Sequence, residues 1–407
     1  MPTLPQKAAA DKPADRDWAA ALQAEMLTVV RQAIEHLVGA ELAAVLGLPY
    51  ARDGVRVGYR HGSKVRPITS PVGAVTLTVP RARLQTGAGT TEWQSQVLPA
   101  YARRMRQVNE AVLQAYLCGA NPRRIRGALR PLLQGRALSK SAISRIVQGL
   151  KAQLETWRTR TLADLELVAL YLDGFHLRVR LGGRVSPVPV LAVLGVQRNG
   201  QKVLVHLSLR GSESTDAWTA VCEDLAARGV RAPQLCVIDG SKGLRTAVER
   251  TWPAAAIQRC TVHKLRNRLT HAPRRLHDEL RADYHAIVFA EDGSAARRAY
   301  VAFLKKWTRG CPGAVASLEE AGPEWLTFFR YPRSQWKSWR TTNSIERLYL
   351  EFRRRVKTQG SFPTADAALA LLYGLVASGQ ICFRKLEGWP DLVVTFSLPP
   401  ATTEEAA

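Results

Sequence analysis

Apolar residues near the N-terminus recur at helical spacing, and further along the chain they alternate as in strands. The first pattern lies between residues 17 and 46 and predicts one or two helices. Residues 50–84 begin with a polar turn at Tyr59 and continue as short apolar runs, which predict a small β-rich element. Residues 85–98 carry neither pattern, and we predict a linker there.

Three further helical patterns follow, with a short turn before the last. The first covers residues 103–116, and the second begins after Asn121-Pro122, a capping residue followed by proline at the first helical position. Pro131 predicts a kink or an early end of this second helix. Ser139 can cap the third. The arrangement is typical of a helix-turn-helix, although helical trios are also common in proteins that do not bind DNA.

From Leu167 the pattern becomes that of strands. An apolar run ends at Asp173, alternation continues to Leu181, and two further strands follow, with Asn199-Gly200 as a hairpin turn between them. A helix then precedes the apolar run 235–238, which ends at Asp239. Another helix and a short strand near 255–259 complete the series.

The order β-β-β-α-β-α-β is that of a ribonuclease H-like fold, in which an antiparallel meander is followed by parallel strands with crossover helices. The first and fourth strands of such a sheet are neighbours, so we expect Asp173 and Asp239 to lie side by side. Residues 264–335 are predicted to be all helical. A helix over 345–357, capped by Asn343, and an apolar helix over 367–377 follow.

The charge of the chain is strongly and unevenly basic. Its net charge is +24 and its pI is about 10.4, which favours a polyanionic partner, most often nucleic acid. An Arg-rich proteome is the simpler alternative. Residues 51–150 carry 17 Lys or Arg against 3 Asp or Glu, whereas residues 1–50 carry 4 against 6. This concentration favours a DNA-binding face.

Other compositional features indicate an intracellular protein. No apolar run approaches the roughly 20 residues of a membrane span, and no signal peptide is recognisable. The six cysteines are scattered, which favours reduced thiols over a disulfide framework. We therefore expect a soluble cytoplasmic protein.

Two carboxylates side by side are the strongest candidate for chemistry. At about 4 Å and an effective dielectric constant near 20 they repel by about 4 kcal/mol, so a proton or a cation must lie between them. Oxygen ligands favour Mg²⁺ or Mn²⁺. A third acid would complete a site for in-line displacement at phosphorus. We assign Glu346 to this role over Glu351, which lies on the same predicted helix.

Four motifs in order resemble the Mutator-type transposases of bacterial insertion sequences, which belong to the DDE superfamily. The resemblance covers roughly residues 55–390. The motifs are Tyr171-Leu-Asp-Gly174, Ile238-Asp-Gly-Ser-Lys-Gly243, Gln258-Arg-Cys-Thr-Val-His-Lys-Leu-Arg-Asn267 and Thr342-Asn-Ser-Ile-Glu-Arg347 with Arg353-Arg-Arg355 and Phe362-Pro363.

The resemblance implies a catalytic site formed by Asp173, Asp239 and Glu346 as ligands of Mg²⁺ or Mn²⁺. It also implies that His263 positions the scissile phosphate or the attacking group and that Cys260 packs behind it. A zinc half-site at Cys260 and His263 is the alternative, but no second ligand pair has the required spacing.

Several basic and polar residues are predicted to contact DNA. For Trp336 and Trp339 two interpretations are open: the rings stack on an unpaired base, or they belong to the core of the helical insertion. Arginines at the rim of the β-rich element fit either phosphate contact or a solvated face. The predicted DNA contacts are Arg60, Arg81, Arg83, Arg123, Arg124, Lys140, Ser144, Arg145, Lys264, Arg266, Arg347, Arg353, Arg354, Arg355 and Lys357.

Together these observations predict an ordered set of regions. They are an N-terminal tail and helical segment (1–50), a basic β-rich element (51–100), a helix-turn-helix-like DNA-binding domain (101–160), the first part of a ribonuclease H-like core (161–263), an all-helical insertion (264–341), the last helices of the core (342–390) and a disordered tail (391–407).

The predicted function is that of a DDE transposase. We expect it to assemble as a homodimer or higher multimer on its terminal inverted repeats and target DNA, and to cleave and transfer strands with Mg²⁺. The alternatives are a ribonuclease H-like nuclease or resolvase without strand transfer, and a non-enzymatic DNA-binding regulator.

Overall fold

The computed structural model describes residues 18–47, 57–87, 89–130, 133, 138–357 and 360–392. The chain forms two compact units. Unit 1 comprises Met1–Tyr116 and Ala120–Val147, and unit 2 comprises Leu117–Gly119 and Gln148–Ala407. The predicted disordered tail (391–407) lies outside the described residues except at Asp391, which ends a 3₁₀ turn, and Leu392, which is buried; for these two positions the prediction was wrong.

Unit 1 begins with one long helix on a three-stranded antiparallel sheet. The helix is α1 (Trp18–Leu46), and the strands are β1 (Gly58–Ser70), β2 (Gly73–Thr86) and β3 (Gly89–Glu92), in the order β1-β2-β3. The Glu35 carboxylate on α1 accepts a hydrogen bond from the Thr78 backbone N–H at 2.6 Å. The apolar core between helix and sheet consists of Val38, Ile68, Val75, Leu77 and Leu98.

Two predictions for this sheet were wrong. The turn predicted at Tyr59 is part of β1. The pairing of β1 with β2 shifts register between Arg60 and Ser63, and this irregularity keeps Gly62 within the strand. The linker predicted for residues 85–98 instead contains the end of β2 and all of β3. Polar, non-alternating residues there pair at the exposed edge of the sheet, where no apolar face is required.

The three helices predicted after the sheet are present. They are α2 (Arg106–Leu117), α3 (Pro122–Leu129) and α4 (Lys140–Thr159). The Asn121 side chain accepts from the backbone N–H groups of Arg123 and Arg124, and Ser139 Oγ accepts from Ala142 N, which confirms both caps. Helix α3 ends at Leu129, before Pro131. The connection to α4 includes residues 131, 132 and 134–137, which the structure does not describe, so the helix-turn-helix stays a prediction.

Unit 2 contains a mixed five-stranded sheet that follows the predicted order of elements. The sheet order is β6-β5-β4-β7-β8; β4, β5 and β6 are antiparallel, whereas β4, β7 and β8 are parallel. The elements are β4 (Leu167–Leu181), β5 (Arg184–Gln197), β6 (Lys202–Leu209), α5 (Thr215–Ala227), β7 (Leu235–Ile238), α6 (Lys242–Thr251) and β8 (Ala256–Arg259). The adjacency of the first and fourth strands of this series is thereby confirmed.

Helices follow the sheet to the end of the described chain. They are α7 (Thr261–Thr270), α8 (His277–Val288), α9 (Gly293–Gly310), α10 (Pro312–Glu319), α11 (Trp336–Trp339), α12 (Asn343–Val356) and α13 (Ala365–Ala377), with 3₁₀ turns at Arg274–Leu276, Glu324–Arg330, Arg333–Gln335 and Trp389–Asp391.

The two tryptophans considered for base stacking both pack against other aromatic residues. Trp339 is fully buried, stacks against Tyr171 of the sheet and donates from its indole N–H to Gln335. Trp336 donates to the Tyr331 carbonyl and packs edge-on against Phe329. The core alternative is therefore the correct one for Trp339, and base stacking by this residue is excluded by its burial.

All six cysteines are free thiols, as predicted. Within the ranges given above, no helix has both the length and the apolar character that crossing a membrane requires.

Candidate active site

Asp173 and Asp239 occupy matching positions on neighbouring parallel strands. Leu172 of β4 is the register partner of Ile238 of β7, and each aspartate is the next residue along its strand. Asp173 is 6% exposed, and Asp239 is partly buried. The strand pairing therefore brings the two carboxylates to the same edge of the sheet, as the sequence predicted.

The surroundings of Asp173 disfavour its charged form. Burial raises the pKa of this carboxyl well above its ordinary value, and the charges of Asp239 and Glu346 add to the rise, whereas His263 and the Gly174 N–H oppose it. The Gly174 N–H donates to Asp173 Oδ1 at 2.9 Å. This carboxylate therefore needs a proton or a cation close by.

The loop after Asp239 is held in one conformation by its backbone. Gly240 has φ = +98°, in the region that favours glycine, and the Arg259 guanidinium donates to the Gly240 carbonyl at 2.8 Å. The Ser241 N–H donates to Asp239 Oδ1 at 2.8 Å. These contacts fix the direction of the Asp239 side chain.

Helix α12 carries Glu346 in its first turn and reaches the sheet through Tyr349. The buried Tyr349 hydroxyl donates to the backbone carbonyl of Asp173 at 2.7 Å, and its ring packs 4.3 Å, centroid to centroid, from that of Phe175. This contact joins the helix that carries the third acid to the strand that carries the first.

The side chain of Thr342, the residue before α12, contacts other residues of the site and does not cap the helix. The predicted cap, Asn343, is the first helical residue, and Thr342 occupies the N-cap position. Thr342 Oγ1 donates to Glu346 Oε1 at 3.1 Å and lies 3.5 Å from His263 Nδ1. Thr342 therefore orients both Glu346 and His263, a role that the sequence did not predict.

Cys260, His263 and Glu346 form a compact cluster, with one potential ligand atom of each lying within 4.8 Å of the other two. His263 Nε2 is 3.8 Å from Glu346 Oε1. The hydrogen bond with Cys260, together with the charges of Cys260, Asp173 and Glu346, raises the pKa of His263 to about 9 despite its partial burial. Burial alone would raise the pKa of the Cys260 thiol, but its interactions with His263 and Thr342 outweigh burial and lower it.

The three predicted acids do not form an equally tight cluster among the described residues; Glu346 lies on the His263 side of the site. A fourth carboxylate, Glu213, was missed. A methyl group at Gly174 would lie 2.4 Å from Glu213 Oε1, so the glycine leaves room for this side chain. Burial and the charge of Asp239 raise the pKa of Glu213. It precedes α5 in a polar loop without a distinctive motif, so no sequence pattern could have identified it.

Most of the predicted DNA contacts lie on the surface of their unit. Two of them, Arg60 and Arg355, are half-buried, and Arg354 and Arg355 each pair with Glu351 at 2.9 Å. The exposed ones are Arg81, Arg83, Arg123, Arg124, Lys140, Ser144 and Arg145 in unit 1, and Arg266, Arg347, Arg353, Arg354 and Lys357 in unit 2.

Lys264 requires a correction. It is 3% exposed, and its ammonium donates to Glu320 at 2.9 Å and to the Ser317 carbonyl at 2.8 Å. Because α7 turns this side chain toward α10, Lys264 stabilises the helical part of unit 2 and is not placed to contact DNA.

Comparison with known proteins agrees with these features. The family described as "Transposase, Mutator family" matches residues 6–384. The chain is 32% identical over 348 residues to the transposase for insertion sequence element ISRM5 of Rhizobium meliloti (strain 1021), an alignment that covers 85% of each chain.

Two more relatives carry the same kind of name. The transposase for IS406 of Burkholderia multivorans is 31% identical over 340 residues, covering 83% of this chain and 86% of the relative. The transposase for IS1081 of Mycobacterium tuberculosis is 30% identical over 345 residues, covering 84% and 82%. With a family match over most of its length, and relatives above 30% identity across more than four-fifths of it, the chain belongs to the Mutator family of transposases.

Proposed function

We propose that this transposase is of the DDE type and that Asp173, Asp239 and Glu346 are its catalytic acids. One observation carries the proposal: two aspartates that end paired segments of neighbouring parallel strands face a helix whose first turn supplies a glutamate. The order of strands and helices in unit 2 supports a ribonuclease H-like fold for this part of the chain.

The donor set of this site fits Mg²⁺ or Mn²⁺. Its side chains are hard oxygen ligands, and the raised pKa of Asp173 marks an excess of negative charge that a divalent cation would relieve. Asp173, Asp239 and Glu346 would hold the ions. When bound, a pair of such ions activates the attacking oxygen and stabilises the leaving oxygen in an in-line displacement.

His263 contributes a positive charge beside these acids. Its pKa of about 9 keeps the imidazole protonated at neutral pH. In this state both ring nitrogens are donors, and the group can hold a phosphate oxygen of the scissile strand. Thr342 fixes the ring position through Nδ1, and Cys260 packs behind it. We therefore assign His263 to orientation of the phosphate.

The proposed substrate is the pair of terminal inverted repeats of the element, together with target DNA. The exposed arginines of both units supply phosphate contacts, and the excess of positive charge over residues 51–150 supports a large electrostatic component of binding. Hydrolytic nicking at the element ends would free a 3′-hydroxyl, which then attacks another strand. We also propose that the active form is a multimer on DNA.

A strand-transfer assay tests this proposal. Labelled duplexes made from the ends of the element are incubated with purified protein, target plasmid and Mg²⁺. We expect nicked and joined products that disappear in EDTA. Nicks without joining would assign the protein to the nucleases, and unchanged products from Asp239→Asn would remove the acids from the chemistry.

A second variant tests the assigned role of His263. His263→Ala should reduce cleavage while DNA affinity stays within about twofold, because the ring acts on one phosphate and not on overall binding. Full cleavage activity in this variant would remove the residue from the site.

A further inference from the structure

A single loop in unit 1 presents an aromatic ring to solvent in an unfavourable backbone conformation. Tyr101 is 94% exposed and has φ = +65°, the sole positive φ outside glycine among the described residues. A non-glycine residue in this region carries backbone strain. Neither burial of the ring nor packing of the side chain offsets this strain, which points to a role outside the folded unit.

Hydrogen bonds from one arginine hold the backbone of this loop. The Arg66 guanidinium donates to the carbonyls of Leu98, Pro99 and Ala102 at 3.5, 3.1 and 2.9 Å. The chain beyond is tied to β1, because Thr69 N donates to Arg103 O at 3.0 Å and Met105 N donates to Thr69 O at 2.9 Å. The backbone on both sides of Tyr101 is therefore held in place before any partner arrives.

Beside this ring lies a small cationic cavity of about 330 Å³. Its lining residues are Tyr101, Ala102, Arg103, Arg104, Asn109 and Arg145, with no acid among those that the structure describes there. Burial lowers the pKa of Arg104, and the charges of Arg145 and Arg103 lower it further. Three guanidinium groups that repel each other at a cavity favour a bound anion.

The cavity adjoins a longer groove of about 1320 Å³ along the sheet of unit 1. The groove is lined in part by Lys64, Trp93 and the ion pair of Arg81 with Glu92 at 3.0 Å, and it shares the arginine cluster with the small cavity. A polyanion running along the groove would therefore reach the Tyr101 ring together with the three arginines.

We propose that this cavity binds one unpaired nucleotide of the DNA substrate, with the base stacked on Tyr101 and its phosphate held by Arg103, Arg104 and Arg145. The inference rests on the proposed function, because it names DNA as the partner. Phosphate contact alone would need no exposed aromatic ring, whereas a base offers a flat face to stack on. A protein partner would have to supply carboxylates for the arginines and an apolar contact for the ring.

A binding experiment in EDTA tests the cavity without any strand chemistry. The full chain is titrated with two fluorescent DNAs made from the end of the element and its flank. One is fully paired, and the other has the last few flank nucleotides unpaired on one strand. Stacking is worth about 1–3 kcal/mol per base, so Tyr101→Ala should weaken binding of the unpaired DNA about 5- to 160-fold and that of the paired DNA less than about twofold.

Three further variants separate stacking from folding. Tyr101→Phe keeps the ring and should bind within about twofold of wild type. Tyr101→Gly removes the backbone strain together with the ring, so it should melt at the same or a higher temperature and still lose the unpaired DNA. Tyr59→Ala, which removes a half-exposed ring on β1 outside the cavity, is the matched control and should bind both DNAs like wild type.

Equal losses on both DNAs, or wild-type affinity of Tyr101→Ala for the unpaired DNA, would overturn the proposal. So would unpaired-DNA binding by Tyr101→Gly at wild-type strength. This binding test is independent of the strand-transfer assay. Protein that binds the unpaired DNA more tightly than the paired DNA but never joins strands would refute only the proposed strand-transfer reaction. Protein that joins strands but binds both DNAs equally would refute only the proposed nucleotide-binding cavity.

Discussion

Replacing the buried acid of the site should make the protein more stable while removing its activity. Asp173→Asn keeps the side-chain shape, and its Oδ1 can still accept from the Gly174 N–H. It removes a carboxyl whose charged form is disfavoured by burial and by Asp239. Such an unfavourable pair of carboxylates is explained if a cation binds between them, so a gain in stability on replacing one of them is a signature of a functional site.

The expected gain follows from the repulsion between the two carboxylates. At about 4 Å and an effective dielectric constant near 20 the repulsion is about 4 kcal/mol. Asp239 is only partly buried, so solvent screens the pair, and we expect about 1–2 kcal/mol in EDTA at pH 7. For a unit of this size that corresponds to about 2–8 °C in Tm.

The dependence on pH distinguishes this cause from a general packing effect. The folded-state pKa of Asp173 lies above its ordinary value of 3.8. The penalty is therefore absent below about pH 3.8, grows as the pH rises toward the folded-state pKa and is then constant. The advantage of Asp173→Asn should shrink as the pH approaches 4.

The assay is thermal unfolding in EDTA at pH 4 to 8. Asp224→Asn is the matched control, because Asp224 pairs with Arg228 at 2.8 Å and with His206 at 3.4 Å, and these partners lower its pKa. Its replacement should lower Tm at pH 7. A lower Tm for Asp173→Asn at pH 7, or a gain that does not change with pH, would refute the reasoning.

Three further substitutions test individual contacts, two in unit 2 and one in unit 1. Glu320→Gln removes the carboxylate partner of Lys264 and Arg259, two cations that hold the pKa of Glu320 at about 2 against the effect of burial. We expect it to lower stability at pH 7 by about 1–2 kcal/mol, a figure reduced for the exposure of the carboxylate. In chemical denaturation, the difference from wild type should vanish as the pH falls from about 4.5 to 2. Tyr349→Phe should cost about 1 kcal/mol and lower the cleavage rate with unchanged DNA affinity, and an unaltered rate would contradict a link between α12 and β4. Asn121→Ala should cost about 1 kcal/mol through loss of the α3 cap, measured as a lower denaturation midpoint.

Local sequence patterns, each concerning a single element, predicted the order of strands and helices in unit 2 well. Apolar runs and turn residues are local properties, so the strand order followed from them, and the pairing of Leu172 with Ile238 follows from that order. β3 was missed because edge strands need no apolar alternation, as the fully exposed segment Gly89–Glu92 illustrates.

Sequence motifs led to the proposed acids, whereas side chains that tertiary contacts bring to the site were not predictable. Glu213 approaches Gly174 across a gap of 39 positions, and Thr342 points to Glu346 and not to the helix backbone. Lys264 carries the same charge as a DNA-contacting lysine would, and only the position of Glu320 reveals that it is an internal ion pair. The spacing of residues along the sequence does not reveal where these side chains point.

The most direct measurement of the central claim is a change of metal specificity at the three acids. Asp173→Cys, Asp239→Cys and Glu346→Cys are assayed separately for strand transfer in Mg²⁺ and in Mn²⁺. A thiolate is a soft ligand that binds Mg²⁺ poorly and accepts Mn²⁺ more readily. The account predicts that each variant is inactive in Mg²⁺ and regains activity in Mn²⁺, whereas wild type works in both. Activity of any of the three variants in Mg²⁺ at the wild-type rate would contradict it.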